Sequence, residues 1–148
     1  MRRNLLQNVQ IDWVDGVEAA GSSIDVNSTI KDMQGWDGVV VITEITDSAD
    51  TGVGTLSIQE NSANSDTGMA NITGATAAGT SAADDDLNDT LLIVDCYKPM
   101  ERYVQATRIS ATANIAYGPV IMIRYQGRKS PITQDSTTVT ASTQVVGS

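Results

Sequence analysis

The sequence predicts an all-β chain: a single-domain antiparallel β-sandwich, jelly-roll-like, with an extended N-terminal arm and a C-terminal tail. Three observations lead there. Leu91-Leu92-Ile93-Val94, the alternating residues 103–110 and the β-rich Val120-Ile121-Met122-Ile123-Arg124-Tyr125 crowd three strands into one short region. Gly, Asn, Asp, Ser and Thr fill the connections between apolar stretches, as turns require. The alternation is one-sided, so a second sheet has to cover the buried face. Roughly seven to nine short strands satisfy this pattern, and an open barrel is the alternative closure. At 148 residues the chain fits one domain with one core. The reading divides it into an arm over 1–22, a sandwich over 23–131 and an extended tail over 132–148.

Taken in order, Leu5, Leu6, Val9, Ile11 and Trp13 precede the turn signal Asp15-Gly16. This is an arm with a short strand near 11–14, and a helical turn over 4–9 fits the spacing of Leu5, Leu6 and Val9. Met1-Arg2-Arg3 opens with positive charge, but polar residues follow too soon for a secretory signal. Ile24, Val26, Ser28 and Ile30 then alternate with Asp25, Asn27 and Thr29 as a half-buried strand. Trp36, between Gly35 and Gly38, is read as capping one end of the core; an exposed ligand-stacking platform is the other reading. Val39-Val40-Val41-Ile42-Thr43-Glu44-Ile45 is the strongest strand, continuous enough to be covered on both faces near its start. Thr55 to Glu60 alternates and is expected to pair with it as a hairpin.

Residues 61–89 are poor in large apolar side chains, with Met69, Ile72 and Leu87 as anchors. A short strand near 69–72 and an exposed loop carrying Asp84-Asp85-Asp86 are expected. Lys98-Pro99 stops the strand before it, since proline has no N–H for a ladder. The strands at 91–97, 103–110 and 120–125 are expected to form an antiparallel meander, because a parallel return needs a long crossover. Gly118-Pro119 is read as closing a connection. Beyond Pro131 the chain is polar and β-leaning, a tail that needs a surface to become ordered.

Composition narrows the function. There is no Phe, with only two Trp and four Tyr, so the core rests on aliphatic side chains and self-association is expected to help. A net charge of −9 opposes binding to a phosphate backbone, so no nucleic-acid partner is expected. No run approaches the roughly 20 apolar residues of a membrane span, so no membrane partner is expected either. The charge is uneven: residues 4–97 hold sixteen acids and one base, Lys31, whereas residues 98–148 hold six bases and two acids. Those six bases either pair with the acidic half or face an acidic protein surface.

The absence of His removes the usual general base and the commonest transition-metal ligand. Gly52-Val53-Gly54 lacks the rest of a phosphate cradle, and the carboxylates lie in turns without an apolar pocket to raise a pKa. No catalytic residue and no cofactor are therefore assigned. Asp84, Asp85, Asp86 and Asp89, and Asp47 with Asp50, carry oxygen ligands of the kind calcium takes, without EF-hand spacing; a solvated turn is the plainer reading. Cys96, alone in the chain, reads as a small buried hydrophobe.

Four stretches in order resemble a family of small structural proteins encoded among the head genes of tailed bacteriophages. They are Asp32-Met33-Gln34-Gly35-Trp36-Asp37-Gly38-Val39-Val40-Val41, residues 84–97, Lys98-Pro99-Met100-Glu101-Arg102-Tyr103-Val104, and residues 113–131 ending Tyr125-Gln126-Gly127-Arg128-Lys129-Ser130-Pro131. The resemblance implies a virion component rather than an enzyme, most directly a capsid cement or decoration protein on the outer surface of the head. On that reading the expected partner is the major capsid protein, bridged by a homo-oligomer, a dimer or trimer; we take Lys98, Arg102, Tyr103, Arg128 and Lys129 as the docking residues, with the N-terminal arm and C-terminal tail as lashings. Arg102 and Tyr103 read equally as a structural corner. A head-completion or tail component, and a carbohydrate-binding β-sandwich using Trp13, Trp36 or a tyrosine, are the rival readings.

Overall fold

A computed structural model describes residues 4–147; Met1-Arg2-Arg3, where the signal-peptide reading began, lie outside the described residues, as does Ser148. After a 3-10 turn at Leu5–Gln7 come ten strands: β1 (Val9–Asp15), β2 (Glu18–Gly21), β3 (Asp25–Asn27), β4 (Lys31–Asp32), β5 (Gly38–Ser48), β6 (Val53–Asn61), β7 (Ala70–Thr80), β8 (Thr90–Tyr97), β9 (Tyr103–Ala111) and β10 (Ile115–Tyr125). They form two antiparallel sheets, one ordered β1-β10-β5-β8 with β2 also on β10, the other β3-β9-β6-β7 with β4 also on β9. β1 and β2 lie along the same edge of β10, and β3 and β4 along the same edge of β9, so each pair is one interrupted strand. Counted that way the eight strands run 1-8-3-6 in one sheet and 2-7-4-5 in the other, the double Greek key of a jelly roll.

Two pairings expected from sequence are corrected. β5 and β6 lie in different sheets rather than forming a hairpin, and β8, β9 and β10 alternate between sheets rather than running as a meander. The physical reason lies in the connections. Each turns the chain out of its sheet through a residue in the left-handed region: Thr51 between β5 and β6 (φ 67), Lys98 between β8 and β9 (φ 55) and Thr112 between β9 and β10 (φ 73). β6 and β7 are consecutive strands that do pair as a hairpin. β7 extends the expected short strand to eleven residues, almost all Ala, Gly, Thr or Asn, with Gly74 at φ 82 where the register slips against β6.

The arm strand and the first part of the tail pack onto the sandwich. β1 pairs with β10 from Val9 opposite Tyr125 to Asp15 opposite Val120. Along the outer edge of β1 the Gln134 side chain stands in for a neighbouring strand, accepting from the Ile11 N–H (2.9 Å) and donating to the Val9 carbonyl (2.7 Å). Thr138 Oγ1 donates to Asp12 (3.0 Å). The surface that orders the first part of the tail is therefore the chain's own edge strand, which this contact also shields from pairing.

Between the sheets sits an aliphatic core that includes Val39, Val41, Leu56, Ile58, Val104 and Met122. Arg108, on β9, crosses it. Its side chain is 1% exposed, bonds Asp15 at 2.6 Å and the Gly118 carbonyl at 2.7 Å, and lies over the Tyr117 ring. Gly118-Pro119 is thus no connection: it is a bulge inside β10 whose carbonyls are also met by Thr43 Oγ1 (3.2 and 3.3 Å), which is how a central strand accommodates proline. Tyr117 ties the sheets a second time, donating to the Ile109 carbonyl (2.6 Å) and accepting from the Thr55 N–H (3.0 Å). At the far end Arg124 bonds buried Asp12 (3.0 Å) and the Asp32 carbonyl (2.7 Å) beneath Trp36.

Removing one partner from a buried ion pair strands the other, at a cost of about 3–5 kcal/mol. Asp15→Ala, which leaves the 1% exposed Arg108 guanidinium without its carboxylate, is expected to lose that much stability in urea denaturation; a loss under ~1 kcal/mol would mean that the bridge between the sheets contributes little.

Candidate functional site

The two outer faces of the sandwich differ in kind. On the β9-β6-β7 sheet the outward side chains form a hydrogen-bonded polar ladder. Thr107 donates to Asn27 (2.9 Å), Gln105 to Gln59 (2.7 Å), Gln59 to Asn71 (3.0 Å), and Ser57 meets Thr76 (3.0 Å). Asp66, from the β6–β7 loop, accepts from both Asn27 and Gln105 (2.9 Å each) and folds that loop over the face. Its side-chain hydrogen bonds are directed at its own neighbours.

The outer face of the other sheet is apolar. Register places Trp13, Ile121, Ile42 and Ile93 in one row across β1, β10, β5 and β8. The next row is Ile11, Ile123, Val40 and Asp95. At its end Tyr125 lies over Gly38, whose missing Cβ makes room for the ring, and its hydroxyl donates to Asp95 (2.5 Å). Burial and that carboxylate both push the Tyr125 phenol above its ordinary range. Trp13 is 50% exposed, Ile93 52%, and Leu91 and Tyr97 comparably bare. The sequence pointed to part of this face, since the run from Val39 is continuous enough to be covered on both sides near its start; it did not point to Trp13, Ile121 and Ile93 as the neighbours of Ile42.

The expected docking residues gather at one end of the sandwich. A cleft of about 520 Å³ there is lined by Trp36 and Asp37 from the β4–β5 loop, Lys98, Pro99 and Arg102 from the β8–β9 loop, and Arg128 beyond β10. Backbone bonds hold these segments together: Arg128 N–H to Gly35 (2.9 Å), Lys98 N–H to Asp37 (2.6 Å) and Met33 N–H to Arg102 (2.7 Å). Met100 stands out at the rim, 92% exposed. Lys129 lines an adjoining groove on the other side of Trp36, and Tyr103 lies beneath the Arg102 guanidinium, 5.1 Å from its centre. The Trp36 ring has Arg124 over it and packs against Gly127 and the core, as a cap does.

Four of the six C-terminal bases pair with carboxylates of the acidic half: Arg108 with Asp15, Arg124 with Asp12, Arg102 with Asp32 (2.8 Å) and Arg128 with Asp37 (3.7 Å). The Arg102 hydrogen bond holds the Asp32 carboxyl below its ordinary value. At the opposite end of the sandwich the end of β5 carries Asp47, and the loops carry Asp50, Asp84, Asp85, Asp86 and Asp89 and no base. There Asp84 accepts from the Asp50 N–H (2.8 Å) and Asp86 from the Ala82 N–H (3.0 Å), which is turn capping. Among the described residues no group of three His, Cys, Asp or Glu is placed to hold a metal ion, and no helix is long and apolar enough to cross a membrane.

No protein-family model and no curated protein matches the chain. Among solved structures, the PBSX exported protein XepA matches all of it at 17% identity with a TM-score of 0.52. The chain spans 46% of that protein, about half its length. Eiger TNF from S. frugiperda matches 86% of this chain and 99% of its own at 9% identity and a TM-score of 0.44. An infectious bursal disease virus structure, Gx strain, matches 83% of this chain and 32% of its own at 6% identity and 0.42. The likeness to XepA is one of fold.

Two outcomes check this description. Because Asp32 titrates lower in the folded chain than unfolded, its bond to Arg102 stabilises the fold above the ordinary carboxylate pKa of 3.8 and is lost as pH falls through the depressed value. The stability gap between the native chain and Arg102→Ala should therefore narrow as pH falls below 3.8; a gap that does not narrow there would contradict the pairing. Burial, with Glu60 and Asp95 nearby, pushes the Cys96 thiol up. Iodoacetamide at neutral pH should modify Cys96 slowly in the folded chain and readily in urea, and equal rates would refute its shielding.

Proposed function

We propose that the chain is a non-enzymatic structural protein of a bacteriophage virion, and within that class a capsid cement or decoration protein on the outer surface of the head. The observation that carries the reading is convergence. Three of the four stretches that resemble the phage head-protein family, separated by up to ninety residues, meet at the cleft: Met33 to Asp37, Lys98 to Arg102, and Arg128. The fold shared with the PBSX exported protein XepA supports the coarser level, a phage-related protein.

In this reading the cleft end docks on the major capsid protein. Met100 offers an apolar anchor, and Lys98, Arg102, Arg128 and Lys129 offer positive charge toward an acidic surface. Arg102 and Arg128 share that charge with Asp32 and Asp37 and Glu101 lines the same cleft, so the positive charge on offer comes mainly from Lys98 and Lys129, which form no ion pair among the described residues. The six aspartates of the other end point away from the shell. Bridging between capsid subunits adds contact area at many places, each modest, against internal DNA pressure.

Copy number tests the reading. In purified particles of the phage that encodes the chain, hundreds of copies are expected against the major capsid protein by quantitative mass spectrometry. Lys98→Glu combined with Met100→Asp is expected to lower occupancy at least tenfold while the purified variant stays folded. A dozen copies or fewer would move the protein to the portal or tail, and absence from particles would overturn the virion reading.

A further inference from the structure

We infer that the apolar outer face of the β1-β10-β5-β8 sheet is the seat of a second copy of this chain, the two packing sheet against sheet about a twofold axis parallel to the strands. The inference stands apart from the virion reading and concerns the purified protein alone.

Area argues for it first. Trp13, Leu91, Ile93 and Tyr97 are each at least half exposed, and together they leave roughly 400 Å² bare. The partly covered Ile11, Val40, Ile42, Ile121 and Ile123 around them bring the face to about 600 Å². Two such faces together bury about 1,200 Å², the lower bound for a specific protein–protein interface, whereas exposed apolar patches on a monomer usually stop near this size.

Shape and charge argue that the occupant is a copy rather than an unlike partner. The face is a four-stranded sheet, and two such sheets pack face to face as the sheets of a sandwich do. Its margins complement each other: β1 carries the bulky Trp13, and β8 carries Leu91 and Ile93. A twofold axis along the strands between β10 and β5 sets Trp13 of each copy over Ile93 of the other and leaves the isoleucines of the inner strands in contact. The same central row serves both sides, as an isologous contact requires. The central rows carry no base: the one base that reaches the face is Lys98, over the Tyr97 ring at its corner, and the acids that reach it are Asp95, held by Tyr125, and Glu44 at the margin. The polar ladder on the opposite sheet has no such face to bury.

Sedimentation equilibrium of the full chain over micromolar to submillimolar concentration tests this. A monomer–dimer equilibrium is expected, with dimerisation several-fold tighter at high salt because each copy carries a net charge of −9. Ile93→Lys, which removes rather than adds net negative charge and alters an exposed side chain, should weaken it at least ~30-fold. Thr76→Lys, on the polar face, should leave it unchanged, and circular dichroism and urea midpoints confirm that both variants are folded. On a Cys96→Ser background, Trp13→Cys with Ile93→Cys should form an intermolecular disulfide on mild oxidation. A native chain that stays monomeric at submillimolar concentration in high salt, or a dimer that survives Ile93→Lys, would overturn the inference, and a dimer without the crosslink would overturn its axis.

Discussion

Each of the two most deeply held arginines has to find a partner on the opposite sheet, and that requirement fixes how the sheets sit. Arg108 leaves β9 and reaches Asp15 and the Gly118 carbonyl on the other side of the core. Arg124 leaves β10 and reaches the Asp32 carbonyl on β4 as well as Asp12 beside it. An unpaired guanidinium in that position would cost several kcal/mol, so any slip of one sheet over the other is opposed at both ends of the core. The Nε of each finds no hydrogen-bond partner among the described residues, which makes the remaining bonds of each head group the more necessary. With a core free of Phe, dispersion and area gains are spread over many small contacts and specify register weakly. The two arginines supply the specificity that the aliphatic side chains do not.

How much of this could be read from residues alone follows from where the information sits. β-Branched runs announced β5, β8 and β10, and strict alternation announced β9 at residues 103–110. Which sheet each strand joins was hidden, because the turns that carry the chain across the sandwich use Thr51, Lys98 and Thr112 in left-handed conformations where a glycine would have advertised itself. β7 was hidden for a different reason. Ala, Gly and Thr give no apolar period, and the strand exists because β6 has an edge to be satisfied, a tertiary demand.

The cleft was half legible. Lys98, Arg102, Arg128 and Lys129 stood out as bases in an acidic chain, but sequence cannot say that residues 33–37, 98–102 and 128 share one end of the molecule. Pairing also changes their meaning, since four of six C-terminal bases spend their charge on Asp12, Asp15, Asp32 and Asp37. The uneven charge along the chain is therefore to a large extent folded against itself. What remains is polarity along the strand axis: a cleft of mixed charge, with Lys98, Arg102 and Arg128 beside Asp37 and Glu101, where β5 and β9 begin, and six aspartates where β5 ends.

That polarity and the apolar face lie at right angles to each other, and the consequence is geometric. A twofold axis parallel to the strands preserves strand direction, so two copies joined across the β1-β10-β5-β8 face point both clefts the same way and both acidic ends the other. Such a pair presents two docking clefts side by side, and once one is engaged the second binds at the effective concentration set by a rigid spacing. A cleft whose charge is partly neutralised by Asp32 and Asp37 binds weakly alone. If both proposals hold, doubling the cleft through the apolar face would give tight attachment to a lattice of repeated sites without requiring any single contact to be strong.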